Sequence, residues 1–189
     1  MARPKSDDKR NALMAAATRV IVARGLSAPT AAIAKAAGIS NGSLFTYFKT
    51  KSELFNVLYL ELKTEMAQAS LRGLPTKAPL REQFSHLWLN WMRWATKHSE
   101  KRRALALLGM SDEITPVTRA AGHQTMIEIA GMLERARAKG PMRDAPMAFV
   151  GTLMNSLADA TMDFIVNEPR TADEHSQVGF DALWRMVAG

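Results

Sequence analysis

Residues Ile33 to Phe48 read IAKAAGISNGSLFTYF, which is the pattern of two short helices pinched together at a glycine. Ala34 is small enough for a second helix to cross closely over it. Gly38, four residues on, can take the positive φ that lets the chain leave the first helix sharply. Ser40 is placed to cap the second helix, whose first turn presents Asn41, Gly42 and Ser43. Leu44 and Phe48 stand four apart and can bury together against the first helix. The arrangement is a helix-turn-helix, and it predicts contact with duplex DNA.

Charge placement points the same way. Between Met1 and Ser52 there are nine basic residues (Arg3, Lys5, Lys9, Arg10, Arg19, Arg24, Lys35, Lys49 and Lys51) against two acids, Asp7 and Asp8. The whole chain carries +7, so the excess lies entirely in the segment with the motif and the remainder is balanced. A polyanionic duplex rewards such a segment through counterion release and steering.

The rest of the chain sets the frame. Its 189 residues are 47% hydrophobic and include no cysteine. A sizeable core is therefore available, while disulfides, thiolate nucleophiles and cysteine-ligated zinc are excluded. No apolar run approaches a membrane span and the N-terminus has no signal-peptide stretch, so a cytoplasmic protein without a membrane partner is expected. Helical spacing predicts an all-α fold of about nine helices. The first covers about Asp8 to Arg24, with Leu13, Ala16, Ala17, Val20 and Ile21 on one face and Gly25 as its stop. Pro29 opens the second helix. Thr50-Lys51-Ser52-Glu53 has the form of a capping box for a long helix to about Leu71, and Gly73, Pro75 and Pro79 close it. Five more helices are expected over about Leu80–Lys97, Glu100–Gly109, Pro116–Lys139, Ala145–Asn167 and Ala172–Val187, the last capped by Thr171 with Glu174.

Arg10 to Phe55 resembles the DNA-binding head of the TetR family of bacterial transcriptional regulators. The resemblance is carried in order by Ala16-Ala17, Arg24-Gly25, Ile33-Ala34, Ala36-Ala37-Gly38-Ile39-Ser40, Gly42-Ser43-Leu44, Tyr47-Phe48, Lys51 and Leu54-Phe55. It covers about a quarter of the chain. It implies a three-helix head over residues 1–52, a helix from about 51 to 71 connecting it to a ligand-binding and dimerisation body over 53–189, and a homodimer. By the same resemblance Asn41, Gly42, Ser43 and Thr46 face base edges or nearby phosphates, while Tyr47 and Lys51 hold the backbone. Their chemistry suits those tasks: a phenol and an ammonium donate to phosphate, and short amide and hydroxyl side chains reach bases. Phe45 replaces a tyrosine usual in the family and is expected to pack. Ala31 and Ala32 stand where polar residues are frequent, leaving Thr30, Lys35, Ser40 and backbone amides as nearby contacts. Ala28 replaces a common threonine, so Ser27 is the expected cap. Lys5, Lys9 and Arg10 would then carry more of the phosphate contact.

The body offers apolar and polar patterns of its own. Trp88, Trp91 and Trp94 recur every third residue, and Met110, Met126 and Met154 populate later helices. Aromatics and thioethers suit an adaptable apolar pocket and equally an ordinary helix core. Asp159 and Asp163, one turn apart, could face a cavity and select a cation or face solvent. His86, Asn90, Arg93 and Lys97 form a polar stripe that reads as a solvated face. Phe149, Leu153, Leu157, Phe164 and Trp184 supply more apolar surface than two terminal helices need, and the resemblance puts the dimer seam there. No cofactor is called for. The four histidines lack metal-type spacing, and neither a phosphate loop nor a nucleophile elbow occurs. The expected function is a ligand-responsive repressor, a homodimer released from a near-palindromic operator by an unidentified small-molecule effector. An architectural DNA-coating protein without a ligand, or a helical enzyme with an incidental basic head, are the competing classes.

Overall fold

The computed structural model describes residues 5–189, with side chains described from Asp7 onward. Arg3 therefore lies outside the described residues, and Lys5 is described for its backbone alone. The described chain is all-helical: α1 (Lys5–Arg24), α2 (Thr30–Ala36), α3 (Asn41–Tyr47), α4 (Lys51–Leu71), α5 (Leu80–Lys97), α6 (Ser99–Gly109), α7 (Pro116–Gln124), α8 (Ile127–Arg137), α9 (Met147–Asn167) and α10 (Ala172–Val187), with a short 3-10 turn at Pro169–Thr171 before α10. Among the described residues two compact units result, one from residues 5–64 and 99–123, the other from 65–98 and 124–189.

The first unit is built on the apolar face read from α1. Leu13, Ala16, Ala17 and Ile21 are fully buried, and Ile33, Ala34, Leu44, Phe48, Leu54 and Phe55 join them. α1 packs on both α2 and α6. Gly25 ends α1 at φ +76°. The loop before α7 is tied to α4 by two side chains: the Asn56 amide donates to the Glu113 carbonyl (2.7 Å) and its Oδ1 accepts from the Thr115 N–H (2.9 Å), while the Ser52 hydroxyl donates to the same Glu113 carbonyl at 3.2 Å. Arg119 closes the end of α6, its guanidinium donating to the Gly109 and Ser111 carbonyls at 2.8 and 2.7 Å. The half-buried Lys63, by contrast, has its pKa lowered by desolvation. A folded-state value below the unfolded one means that the protonated lysine weakens the fold at neutral pH. The penalty fades as pH rises through the folded value toward the ordinary lysine range. Lys63→Met is therefore expected to raise Tm by a few degrees at pH 7, with a gain that shrinks toward pH ~10; thermal melts across that range check it.

The second unit has an aromatic core. Phe84, Trp88 and Phe180 are fully buried, and the Trp88 indole N–H donates to the Ser176 carbonyl at 2.9 Å. Gly179 lets α10 approach: a β-carbon there would lie 2.6 Å from Thr161 Oγ1 and 3.1 Å from Trp88 Cζ2. Arg137 gathers the chain after α8, Nη1 donating to the Met142 and Arg143 carbonyls (2.8 and 3.1 Å) and to that of Ala145, while Nε meets Glu134 Oε2 at 2.8 Å.

Several expectations need correction. The stretch Pro116–Lys139 is two helices rather than one, which makes ten α-helices among the described residues within the expected all-α fold. No proline or glycine marks residues 125–126. The break follows Gly122, over which the Tyr59 ring lies so closely that a β-carbon would come within 2.9 Å of it. Thr171 does not cap α10 with its side chain; its hydroxyl donates to the Glu168 carbonyl at 3.1 Å, drawn there by the 3-10 turn that Pro169 starts. Pro29 is the N-cap of α2 rather than its first residue, and no side chain, Ser27 included, caps that helix. α1 begins at Lys5, ahead of Asp8.

Candidate nucleic-acid interface

The turn between α2 and α3 is fixed by local chemistry. Gly38 sits at φ +71°, and the Ile39 and Gly38 amides donate back to the Ala34 and Lys35 carbonyls at 3.0 and 3.1 Å. This is the paired bonding of a Schellman stop, which needs a residue tolerant of positive φ. Ser40 then adopts extended backbone and its Oγ accepts from the Ser43 N–H at 3.1 Å, capping α3. Leu44 (0% exposed) and Phe48 (2%) pin α3 from beneath. Thr50 and Glu53 open α4 as a reciprocal cap, with Glu53 N–H on Thr50 Oγ1 at 3.0 Å and Glu53 Oε2 accepting from Lys49 N–H at 2.6 Å, one residue earlier than the usual box.

What this scaffold leaves outward is polar and short. Asn41, Gly42, Ser43, Thr46, Lys35 and Ser40 are exposed; Thr30, Tyr47 and Lys51 are half-buried. Thr46 donates its hydroxyl to the Ser43 carbonyl at 2.7 Å, which leaves its lone pairs outward. Ser43 Oγ lies 2.9 Å from Ser40 Oγ. Lys51 Nζ rests over the Phe55 ring, 5.2 Å from its centroid. Phe45 does not pack as expected but is 42% exposed, because Leu44 and Phe48 take the buried side of so short a helix. Arg10 is ion-paired with Glu61 and lies 5.9 Å over the Phe48 ring, so part of its charge is already compensated.

Gly42 separates folding from binding. A β-carbon there would meet only Ser40 Oγ, at an ordinary 3.9 Å, so the fold does not require glycine and the open space faces solvent. Gly42→Ala is expected to leave the protein as stable or more so by about 0.5–1 kcal/mol, since alanine favours helix, while lowering DNA affinity by steric exclusion. Paired melting and binding measurements check both halves.

The body residues divide differently. Trp88 (0%), Trp91 (8%) and Met154 (6%) are core. Trp94 (5%) lines a half-open cavity of about 390 Å³ whose other walls are the end of α4 and the polar stripe of α5. Met110 is 76% exposed, Met126 half-buried and Asp159 exposed, and none of the three lines that cavity. Arg72, Arg93 and Lys97 do line it; the stripe reading anticipated the helical spacing of the last two but not that they border a cavity. On α9 and α10, Phe149 and Phe164 are about half exposed, and Leu153, Leu157 and Trp184 half-buried.

Residues 13–58 match the model of bacterial regulatory proteins of the tetR family. Over 78 residues the chain is 32% identical to the uncharacterized HTH-type transcriptional regulator YhgD of Bacillus subtilis, a segment that spans 41% of each protein. The whole fold is similar to a tetR family transcription regulator from Shewanella sp. PV-4 (TM-score 0.85, 24% identity, 96% of this chain and 98% of that one). It is also similar to one from Marinobacter aquaeolei VT8 (TM-score 0.82, 23% identity, 99% of both chains). The head's sequence over residues 13–58, seated on a helix-turn-helix whose stop, cap and buried pins are all in place, is thus similar to the DNA-binding head of bacterial regulatory proteins of the tetR family, and the remainder of the chain shares the fold of such regulators.

Proposed function

We propose that the protein is a cytoplasmic, sequence-specific DNA-binding repressor, working as a homodimer on a near-palindromic operator and released by a small molecule. In this reading residues 1–52 are the DNA-binding head and 53–189 the effector-binding and dimerisation body. The observation that carries it is the outer surface of α3: a short helix fixed from below by Leu44 and Phe48 presents only Asn41, Gly42, Ser43, Phe45 and Thr46, in the part of the sequence that holds the whole +7. Short side chains read base edges, and flanking Tyr47 and Lys51 supply phosphate contacts. No membrane span is present among the described residues.

Two more distant structures of this fold, LfrR of Mycobacterium smegmatis with proflavine and FadR of Bacillus subtilis with stearoyl-CoA, each have a TM-score of 0.68 at 17% identity. The mechanism would be a two-state change: an effector that binds the DNA-incompetent state better lowers operator affinity by the ratio of its two affinities.

The test uses the phosphate pair. The Tyr47 hydroxyl has no hydrogen-bond partner among the described residues, so Tyr47→Phe is expected to leave Tm unchanged yet weaken operator binding roughly 3- to 10-fold across sequences. Lys51→Ala should do the same and reduce the salt slope by about one. Asn41→Ala should instead change base preference. Variants that bind as the wild type does at every salt concentration would remove these residues from the interface.

A further inference from the structure

The polar stripe of α5 is not a plain solvated face. Asn90, Arg93 and Lys97 and the buried Trp94 line the cavity of about 390 Å³ together with Glu65 from the last two turns of α4 and Arg72 just beyond its end. Arg72, Arg93 and Lys97 contribute three positive charges against one from Glu65, whose Oε1 accepts the Trp94 indole N–H at 3.1 Å. Among the described residues no carboxylate pairs with any of the three cations. Arg93 instead donates to Asn90 Oδ1 at 3.2 Å, and the Asn90 amide is fixed in that orientation by donating to the Arg72 carbonyl at 2.9 Å. The His86 ring nitrogen, 2.8 Å from the same carbonyl, also ties the end of α4 to α5.

The consequence is a recess with excess positive charge and an aromatic wall. Three like-charged groups held around one cavity with a single carboxylate, that of Glu65, repel each other, and an anion entering between them relieves the repulsion. A guanidinium is a planar fork that matches a carboxylate in two hydrogen bonds, and an indole flank favours a flat apolar body. The volume is at the small end of ligand sites, enough for one or two fused rings. Cations are disfavoured there.

We infer that the cleft between the end of α4 and the outer face of α5 binds a small planar aromatic carboxylate, with Arg72, Arg93 and Lys97 holding the carboxylate and Trp94 flanking the ring. This gives the proposed effector a place and a chemical class; it rests on that reading only for coupling to DNA, since binding is measured on protein alone.

The experiment titrates the full-length chain with 2-naphthoate and with neutral 2-naphthamide, by calorimetry and tryptophan fluorescence. The acid should bind at least tenfold tighter than the amide and quench emission. Arg93→Gln with Lys97→Gln, both exposed positions, should weaken the acid tenfold or more with Tm unchanged. Lys77→Gln, an exposed loop lysine outside the cleft, should leave it as it was. Trp94→Phe should remove most of the quench. Equal affinity for acid and amide, no acid binding at millimolar concentration, or indifference to the Arg93 and Lys97 changes would each overturn the inference. Naphthoate binding that meets these criteria but leaves operator affinity constant would uphold the site and count against the effector reading.

Discussion

Phe164→Glu is expected to convert the protein to a monomer and abolish tight operator binding. Phe149, Leu153, Leu157 and Phe164 recur on one face of α9 at helical spacing, and Phe149 (53%), Phe164 (49%) and, on α10, Val178 (57%) are left open in the single chain. Such a cluster of exposed apolar side chains suits coverage by a second copy, which would meet it symmetrically. A carboxylate buried there without a partner costs several kcal/mol, and a two-fold axis applies the cost twice. About 6 kcal/mol corresponds to roughly four orders of magnitude in the dimer dissociation constant. Because Phe164 is half exposed in the monomer, the variant should still fold. The His175 ring, 4.6 Å from that of Phe164, offers a local partner for the new carboxylate, so Phe149→Glu is the companion variant. Sedimentation checks both: dimer at micromolar concentration for wild type, monomer for each variant. A wild-type monomer, or variants that stay dimeric, would remove α9 from the seam.

Gly140→Ala is expected to give the largest loss of stability among single-methyl additions. A β-carbon at 140 would lie 1.9 Å from the Val187 carbonyl oxygen, 2.7 Å from its carbon and 2.8 Å from Ala188 Cα. These are backbone atoms, and the end of α10 cannot easily yield: the Val187 side chain is fully buried and the Ala188 amide bonds to the Trp184 carbonyl at 2.8 Å. Overpacking of this kind costs about 3 kcal/mol, or roughly 6–12 °C in Tm for a chain of this size. Gly131→Ala is the control, since a β-carbon there meets only the Arg135 guanidinium at 3.7 Å. It should be neutral or stabilising by about 0.5–1 kcal/mol. Equal Tm changes for the two would contradict this packing.

What could be read from the sequence was what is local. Gly38 and Ser40 act within four residues of themselves, so the stop of α2 and the cap of α3 follow from residue type and spacing. The α1 face is equally legible, because burial at helical period leaves a direct trace. The break between α7 and α8 leaves none, since it accompanies the close fit of Tyr59 over Gly122, two residues more than sixty positions apart. Thr171 and Glu174 matched a capping pattern, but the hydroxyl found the Glu168 carbonyl first. Gly140 lies just past the helix expected to end at Lys139, and nothing local marks it as the seat of a backbone crossing. The tryptophans show the limit most plainly: Trp88 and Trp94 share a helix and similar burial, yet one hydrogen-bonds within the core and the other borders a charged cavity. The distinction lies in the end of α4, which periodicity along α5 alone does not contain.

The central claim is specific recognition of duplex DNA by the surface of α3. Selection of binding sites from a random duplex pool, repeated at two salt concentrations with purified wild-type protein and the Asn41→Ala variant, tests it most directly. The account predicts enrichment of one discrete site with two symmetry-related halves, binding that weakens steeply as salt rises, and an altered consensus for the variant. Recovery of no preferred duplex, or the same consensus with and without the Asn41 side chain, would contradict it.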